Sequence, residues 1–165
     1  MEFKLRPWTM NDLDSVYKHA NNPNITKFMS DGFPGNKNKW RSFLEFASSD
    51  ETILYRAIEI NGEAAGGIGI SPQKDYRRKN AELGYWLSED YWGCGIMTRA
   101  IGEMVKLSFD KLDINRVFAT PFETNYASHR VLEKAGFTLE ARFEKNVIKN
   151  GELWDELVYA IRRKE

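Results

Sequence analysis

The chain has 165 residues, and its 24 Lys plus Arg balance 24 Asp plus Glu to a formal net charge of zero. That balance gives no global electrostatic footprint for nucleic acid or an anionic membrane, so neither is expected as a partner. The 42% hydrophobic and 13% aromatic content excludes a disordered chain, and the length suits one domain, residues 1–165, with a sizeable core.

In chain order, residues 3–7 read as a short strand. Residues 9–22 follow as a helix, with Thr9 as cap, Asp12 three residues on, and Leu13, Val16, Tyr17 and Ala20 at helical spacing. Residues 21–36 are rich in Asn, Pro and Gly and read as a loop. Residues 39–47 give a second helix, with Trp40, Phe43, Leu44 and Ala47 on one face. Residues 52–60 and 64–71 are strands about Asn61-Gly62, a hairpin signal. After a polar turn at 75–80, residues 81–87, AELGYWL, alternate as a third strand. Residues 88–105 supply a loop and a helix whose stripe is Met97, Ala100, Ile101, Met104 and Val105, extending to Leu112. Residues 115–122 read as a strand. Residues 124–137 read as a helix capped by Thr124 or Asn125 and stopped by Gly136. Residues 138–163 close the chain as a hairpin about Asn150-Gly151. The order β-α-α-β-β-β-α-β-α-β-β implies one α/β (α+β) domain with a mixed sheet.

The chemistry-bearing stretch is YWGCGIMT, residues 91–98. A strand feeds a glycine-containing loop, which feeds a helix whose first N–H groups have no partner inside the helix. Such an N-terminus attracts anions, and glycine lets a phosphate approach the backbone closely. A plain tight turn is the alternative. The dinucleotide fingerprint fails, because Thr98 stands where its third glycine would be, and no Gly-Lys-Ser/Thr of a P-loop occurs. The single cysteine, Cys94, excludes an intramolecular disulfide, and His19 and His129 lie too far apart for metal-ligand spacing, so no metal site is expected. One cysteine and no signal peptide lead to the expectation of a cytoplasmic protein. No apolar run approaches membrane-spanning length.

Taken in order, LRPWTMNDLDSVYKHANNP, AELGYWLSEDYWGCGIMTRAI, NRVFATPFETNYASHRVLEKAGF and NGELWDELVYAI resemble the GNAT acetyltransferases, specifically the branch with the ribosomal-protein N-terminal acetyltransferases. The resemblance covers essentially the whole chain. It implies a sheet of about seven mostly antiparallel strands splayed at its centre, about four helices, and acetyl-CoA as cosubstrate. Trp92-Gly93-Cys94-Gly95-Ile96-Met97 falls on the family's coenzyme motif. Trp92 stands where Arg or Gln is general, and Met97 stands where a small residue is usual. The same resemblance implies diphosphate contacts from Trp92 to Thr98. It implies that the pantetheine arm pairs with Trp86, Leu87 and Ser88, and that Asn125 and Ser128 stand beside the arm and its sulfur.

Direct acetyl transfer to an amine needs a base, an oxyanion donor and a proton source for the thiolate. Glu82 is the candidate base, a carboxylate in mid-strand on the face shared with Gly84 and Trp86, opposite Leu83, Tyr85 and Leu87. An ion pair with Arg56 or Arg77 is its structural alternative. The Leu87 N–H is the expected oxyanion donor and Ser128 the candidate acid. Some relatives place a tyrosine where this chain has Leu132. A Cys94 acyl carrier and a Ser128–His129 dyad are disfavoured by position, with His129 expected in solvent. Phe28, Phe33, Tyr85 and Trp154 are the acceptor-site candidates, with Trp40, Asp155 and Glu156 beside them. The acceptor is expected to be a peptide N-terminus or a small-molecule amine. A non-catalytic acyl-CoA-binding module on the same fold is the second reading, and exposed edges leave a homodimer open.

Overall fold

The computed structural model describes residues 1–30, 33–50, 52 and 54–164. Asp31 and Gly32, within the segment read as a loop, and Ile53, within a segment read as a strand, lie outside them. The elements are β1 (Lys4–Pro7), α1 (Leu13–Ala20), α2 (Pro23–Thr26), α3 (Lys37–Ser48), β2 (Tyr55–Ile60), β3 (Glu63–Pro72), β4 (Asn80–Leu87), α4 (Ile96–Lys111), β5 (Arg116–Ala119), α5 (Tyr126–Lys134), β6 (Thr138–Lys149) and β7 (Glu152–Arg162). The strands form a seven-stranded sheet in the order β1-β2-β3-β4-β5-β7-β6. β4 and β5 run parallel. The pairs β1–β2, β2–β3, β5–β7 and β6–β7 are antiparallel. The expected mixed, mostly antiparallel sheet is therefore present, with five α-helices rather than four among the described residues.

The departures have local causes. The helix read from residue 9 opens as a 3-10 turn, Met10–Asp12, before α1 begins. The Asp12 carboxylate takes hydrogen bonds from Thr9 N at 2.9 Å and Thr9 Oγ1 at 3.2 Å, and two more from the Arg6 guanidinium at 2.8 Å each. Burial alone would push the Asp12 carboxyl up, but the hydrogen bonds from Arg6 and Thr9 outweigh it and hold it below its ordinary value. The segment 21–36 is not all loop. Asn22 Oδ1 accepts Asn24 N, and Pro23 opens the short helix α2. The strand read over 115–122 shrinks to Arg116–Ala119, because Thr120-Pro121 interrupts the ladder. Pairing resumes at a Phe122–Glu156 bridge. Both Asn-Gly hairpins form, with Asn61, Gly62, Asn150 and Gly151 all at positive φ.

The contacts divide the chain into two compact units. The first is residues 1–70 with 84–100, and the second is residues 71–83 with 101–165. The core of the first unit gathers Trp8, Val16, Ala20, Ile25, Trp40, Leu44, Ala47, Ala57, Ala64 and Trp86. Phe43 bridges Trp8 and Trp40 edge to face, at 5.6 and 6.1 Å between ring centres. Gly67 makes this packing possible, since a Cβ there would stand 2.6 Å from the Trp86 indole nitrogen. The second unit buries Leu83, Met104, Val117, Leu132, Phe137 and Tyr159 among others. α5 ends as expected near Gly136, with Gly136 N on Glu133 O and Phe137 N on Leu132 O, each at 3.0 Å.

Candidate functional site

The first unit holds the glycine loop. A 3-10 turn, Glu89–Tyr91, leads from β4 to Trp92. Gly93 and Gly95 both take left-handed backbone, at φ +74 and +71. A side chain at either would strain that conformation by about 1–2 kcal/mol. A Cβ at either would meet nothing within 4 Å, so the loop has open space in front of it. Gly95 O accepts Arg99 N, which makes Gly95 the cap residue of α4. Glycine has no capping side chain, so the first N–H groups of the helix are left for something else. Met97 is 7% exposed and Ile96 1%, so both side chains turn inward. Cys94 and Trp92 are exposed and Thr98 is half-buried. Every feature that a diphosphate needs here is backbone, and the bulk of Met97 belongs to the core stripe. The residues present fit the group that the motif calls for.

The end of β4 lies beside this loop. Ser88 N donates to Ala65 O at 2.7 Å, so the even-numbered residues of this end direct their backbone groups to β3. At the other end of the strand, Gln73 N donates to Asn80 O at 2.9 Å, in keeping with that phase. The ladder from β4 to β5 pairs only Asn80, Ala81 and Glu82 with Arg116, Val117 and Phe118. Those pairs end at Glu82–Phe118, ahead of Tyr85 and Leu87 in the strand. Ser88 therefore faces β3, and by alternation along the strand Leu87 N–H is directed to its opposite side. The Leu87 carbonyl takes the Trp92 indole N–H at 2.9 Å. The Glu89 carboxylate takes side-chain amides from Asn22 at 2.9 Å and Asn24 at 3.0 Å. Hydrogen bonds from Asn24 and then Asn22 hold its carboxyl below the ordinary range.

The second unit holds the titratable candidates. Glu82 is half-buried, and its partner is Thr120 Oγ1 at 3.3 Å rather than an arginine. Asn125 caps α5 by accepting Ser128 N at 3.3 Å, which settles the cap between Thr124 and Asn125. Ser128 is buried and Leu132 fully so. His129 does not stand in solvent as expected. Its ring stacks on Tyr159 at 5.6 Å, and its Nε2 lies 3.0 Å from Phe122 O.

The acceptor-site candidates divide. Phe33 packs edge to face on Trp40 at 5.0 Å and supports the core of the first unit. Phe28 is half-buried under Lys27 Nζ at 5.0 Å. Tyr85 is half-buried on β4. In the second unit, Trp154 stands edge-on to Phe122 at 5.2 Å. Asp155 is committed to the fold, taking Lys145 N at 2.8 Å and the Arg142 guanidinium at 2.6 Å. Those two partners hold its carboxyl low, the Lys145 N–H first. Glu156 takes Asn146 Nδ2 at 2.9 Å. The links that sequence reasoning missed are Thr120 to Glu82, Asn22 and Asn24 to Glu89, and Trp92 to Leu87. Each joins residues whose pairing depends on tertiary position or on a side-chain rotamer. Among the described residues no group of His, Cys, Asp and Glu is arranged to hold a metal ion, and no helix is long and apolar enough to cross a membrane.

An N-acetyltransferase architecture fits the seven-stranded, mostly antiparallel sheet, the glycine loop after β4 and the helix that follows it. Residues 2–138 match the family model described as "Acetyltransferase (GNAT) domain", and the chain belongs to that family of enzymes. It is 25% identical to "Uncharacterized N-acetyltransferase YnaD" of Bacillus subtilis (strain 168) over 161 residues, which is 98% of this chain and 94% of that protein. It is 29% identical to "Putative ribosomal N-acetyltransferase YdaF" of the same organism, over 77% of this chain and 78% of that one. Its fold is similar to that of the microcin C7 self-immunity acetyltransferase MccE, solved with acetyl-CoA and AMP. The TM-score is 0.83 and the identity 28%, over 98% of this chain and 93% of that one.

Proposed function

We propose that this chain transfers acetyl directly from acetyl-CoA to a primary amine, either a protein N-terminal α-amino group or the amine of a small molecule. The observation that carries the proposal is the pair of left-handed glycines, Gly93 and Gly95, opening α4 without a side-chain cap directly after β4. Left-handed glycines also serve plain turns, so it is the uncapped helix N-terminus behind them that favours an anion. Acetyl-CoA supplies an acetyl group activated as a thioester.

The chain supplies binding and proton management. The backbone N–H groups from Gly93 to Thr98 hold the diphosphate, and the edge at Leu87 pairs with the pantetheine amides. Asn125 uses only its Oδ1 as a cap, which leaves Nδ2 to donate to the arm. Glu82 takes a proton from the incoming ammonium, directly or through one water, so that the nitrogen lone pair can form the new C–N bond. Thr120 orients that carboxylate. The Leu87 N–H, on the same edge as that of Tyr85, donates to the oxygen as charge develops there. Ser128 donates toward the sulfur as the C–S bond breaks.

Two relatives frame the acceptor: YdaF carries a ribosomal acetyltransferase name, and MccE was solved with AMP. The first favours a peptide N-terminus and the second a small molecule. Release of free thiol from acetyl-CoA, followed with N-terminal peptides and small amines, is the test. Turnover with any amine, lost in Glu82→Gln, supports the proposal. Coenzyme A binding without turnover on any amine would move the chain to the non-catalytic reading.

A further inference from the structure

Trp92 stands apart from the other tryptophans of its unit. Trp8, Trp40 and Trp86 are buried in the core at 2, 6 and 8% exposure, whereas Trp92 is 48% exposed. Its ring contributes little to the core, yet its one polar atom is engaged, with indole Nε1–H on Leu87 O at 2.9 Å. That carbonyl belongs to the edge of β4 beyond the last pair of the β5 ladder, Glu82–Phe118. Between Leu87 and Trp92 the chain makes only a 3-10 turn, closed by Tyr91 N on Ser88 O and Trp92 N on Glu89 O at 3.1 Å. The indole therefore spans the turn and ties its exit to the strand edge at its entrance. Directly after Trp92 come Gly93 and Gly95, the two most permissive backbone positions of the loop. Without that tie, the orientation of the loop relative to the strand edge would rest on the turn and on the Asn22 and Asn24 amides that hold Glu89 at its start.

We infer that Trp92 is a positioning residue: its indole N–H, held on the Leu87 carbonyl, fixes the spacing between the strand edge and the glycine loop, so that one ligand can engage both at once. The inference rests on the proposed coenzyme A reading. A carbonyl oxygen has two lone pairs, so Leu87 O can keep the indole and still accept a ligand amide. The benefit is preorganisation. A ligand spanning two subsites gains from their fixed separation, whereas a fragment that fills one subsite does not.

The test compares Trp92→Phe, which keeps the ring and removes the N–H, with wild type for three probes: coenzyme A, ADP and pantetheine. The expected result is a loss of about five- to tenfold in coenzyme A affinity, with ADP and pantetheine each within about twofold of wild type. KM for acetyl-CoA should rise by the same factor while kcat holds, because Trp92 touches no reacting atom. Trp92→Gln, which keeps a side-chain N–H, should recover part of the loss, and it stands in if the Phe variant does not fold. Unchanged coenzyme A affinity in Trp92→Phe overturns the inference, as does an equal loss for ADP, which would mean the ring only props up the loop. The indole N–H resonance of Trp92, identified as the signal missing from the Phe variant, gives an independent readout. It should stay protected from solvent exchange when coenzyme A is added, and exposure on binding would sink the idea. Wild type failing to bind coenzyme A at all would instead overturn the proposed function.

Discussion

Two strand-to-helix junctions of this protein solve the same problem in opposite ways. At the start of α5, Asn125 folds its side chain back onto Ser128 N, and the helix satisfies itself. At the start of α4, Gly95 has no side chain to offer, and the first-turn N–H groups stay open behind two left-handed glycines. Helix N-termini are attractive to anions in general, so the glycines matter here by what they withhold. A loop that binds through its backbone tolerates changes of side chain, Met97 included. The candidates of the second unit are the reverse, since the roles proposed for Glu82, Asn125 and Ser128 all belong to side chains.

That contrast between backbone and side chain can be broken. The largest effect is expected in the second unit. Glu82→Gln should lower kcat by about 10²–10⁴-fold, the range for a general base, with KM for acetyl-CoA little changed. Steady-state thiol release reads this, and a KM effect alone would reassign Glu82 to binding. In the loop, Gly95→Ala puts a Cβ at φ +71 into the open space that a phosphate would use. Loss of one or two hydrogen bonds to a charged group predicts about ten- to hundredfold weaker coenzyme A binding by calorimetry. A variant that binds normally would show that the N-terminus of α4 is idle.

Acid unfolding tests the first unit away from the loop. The Asp12 carboxyl is lower in the fold than in the open chain, so its stabilisation is complete above the ordinary carboxylate range. It fades as pH falls through the lowered value. Arg6→Gln removes the main depressor and leaves burial to push Asp12 up, so loss of stability should begin at higher pH in circular dichroism. Asn125→Ala should cost about 1 kcal/mol of stability through the lost cap. It should also weaken coenzyme A binding less than Gly95→Ala does, and the opposite ranking would invert the comparison. The smallest effect belongs to Cys94→Ala. The side chain is exposed and the proposed binding uses only the loop backbone, so kcat and KM should stay within about twofold. A large loss there would revive an acyl-cysteine step.

Much of the fold was legible because periodicity and turn chemistry are local. The two Asn-Gly hairpins, the α4 stripe from Met97 to Val105 and the Gly136 stop stand where the sequence puts them, whereas Leu112 falls just past the end of the helix. The boundaries that moved did so for tertiary reasons. Arg6 draws Asp12 into a 3-10 turn, and Thr120-Pro121 interrupts β5. The AAGGIG run of β3 reads as an ordinary strand, yet Gly67 is there because Trp86 needs the room.

By itself the sequence determined the element order, the glycine loop between strand and helix, and the family motifs that link them. Spacing along the chain encodes those features, and no contact is needed to see them. Only the tertiary structure decided which way Met97 points, that Glu82 meets Thr120 rather than an arginine, that His129 stacks on Tyr159, and that the Trp92 indole closes on Leu87. Each of those depends on a side chain meeting a group that the fold, rather than the sequence neighbourhood, brings within reach.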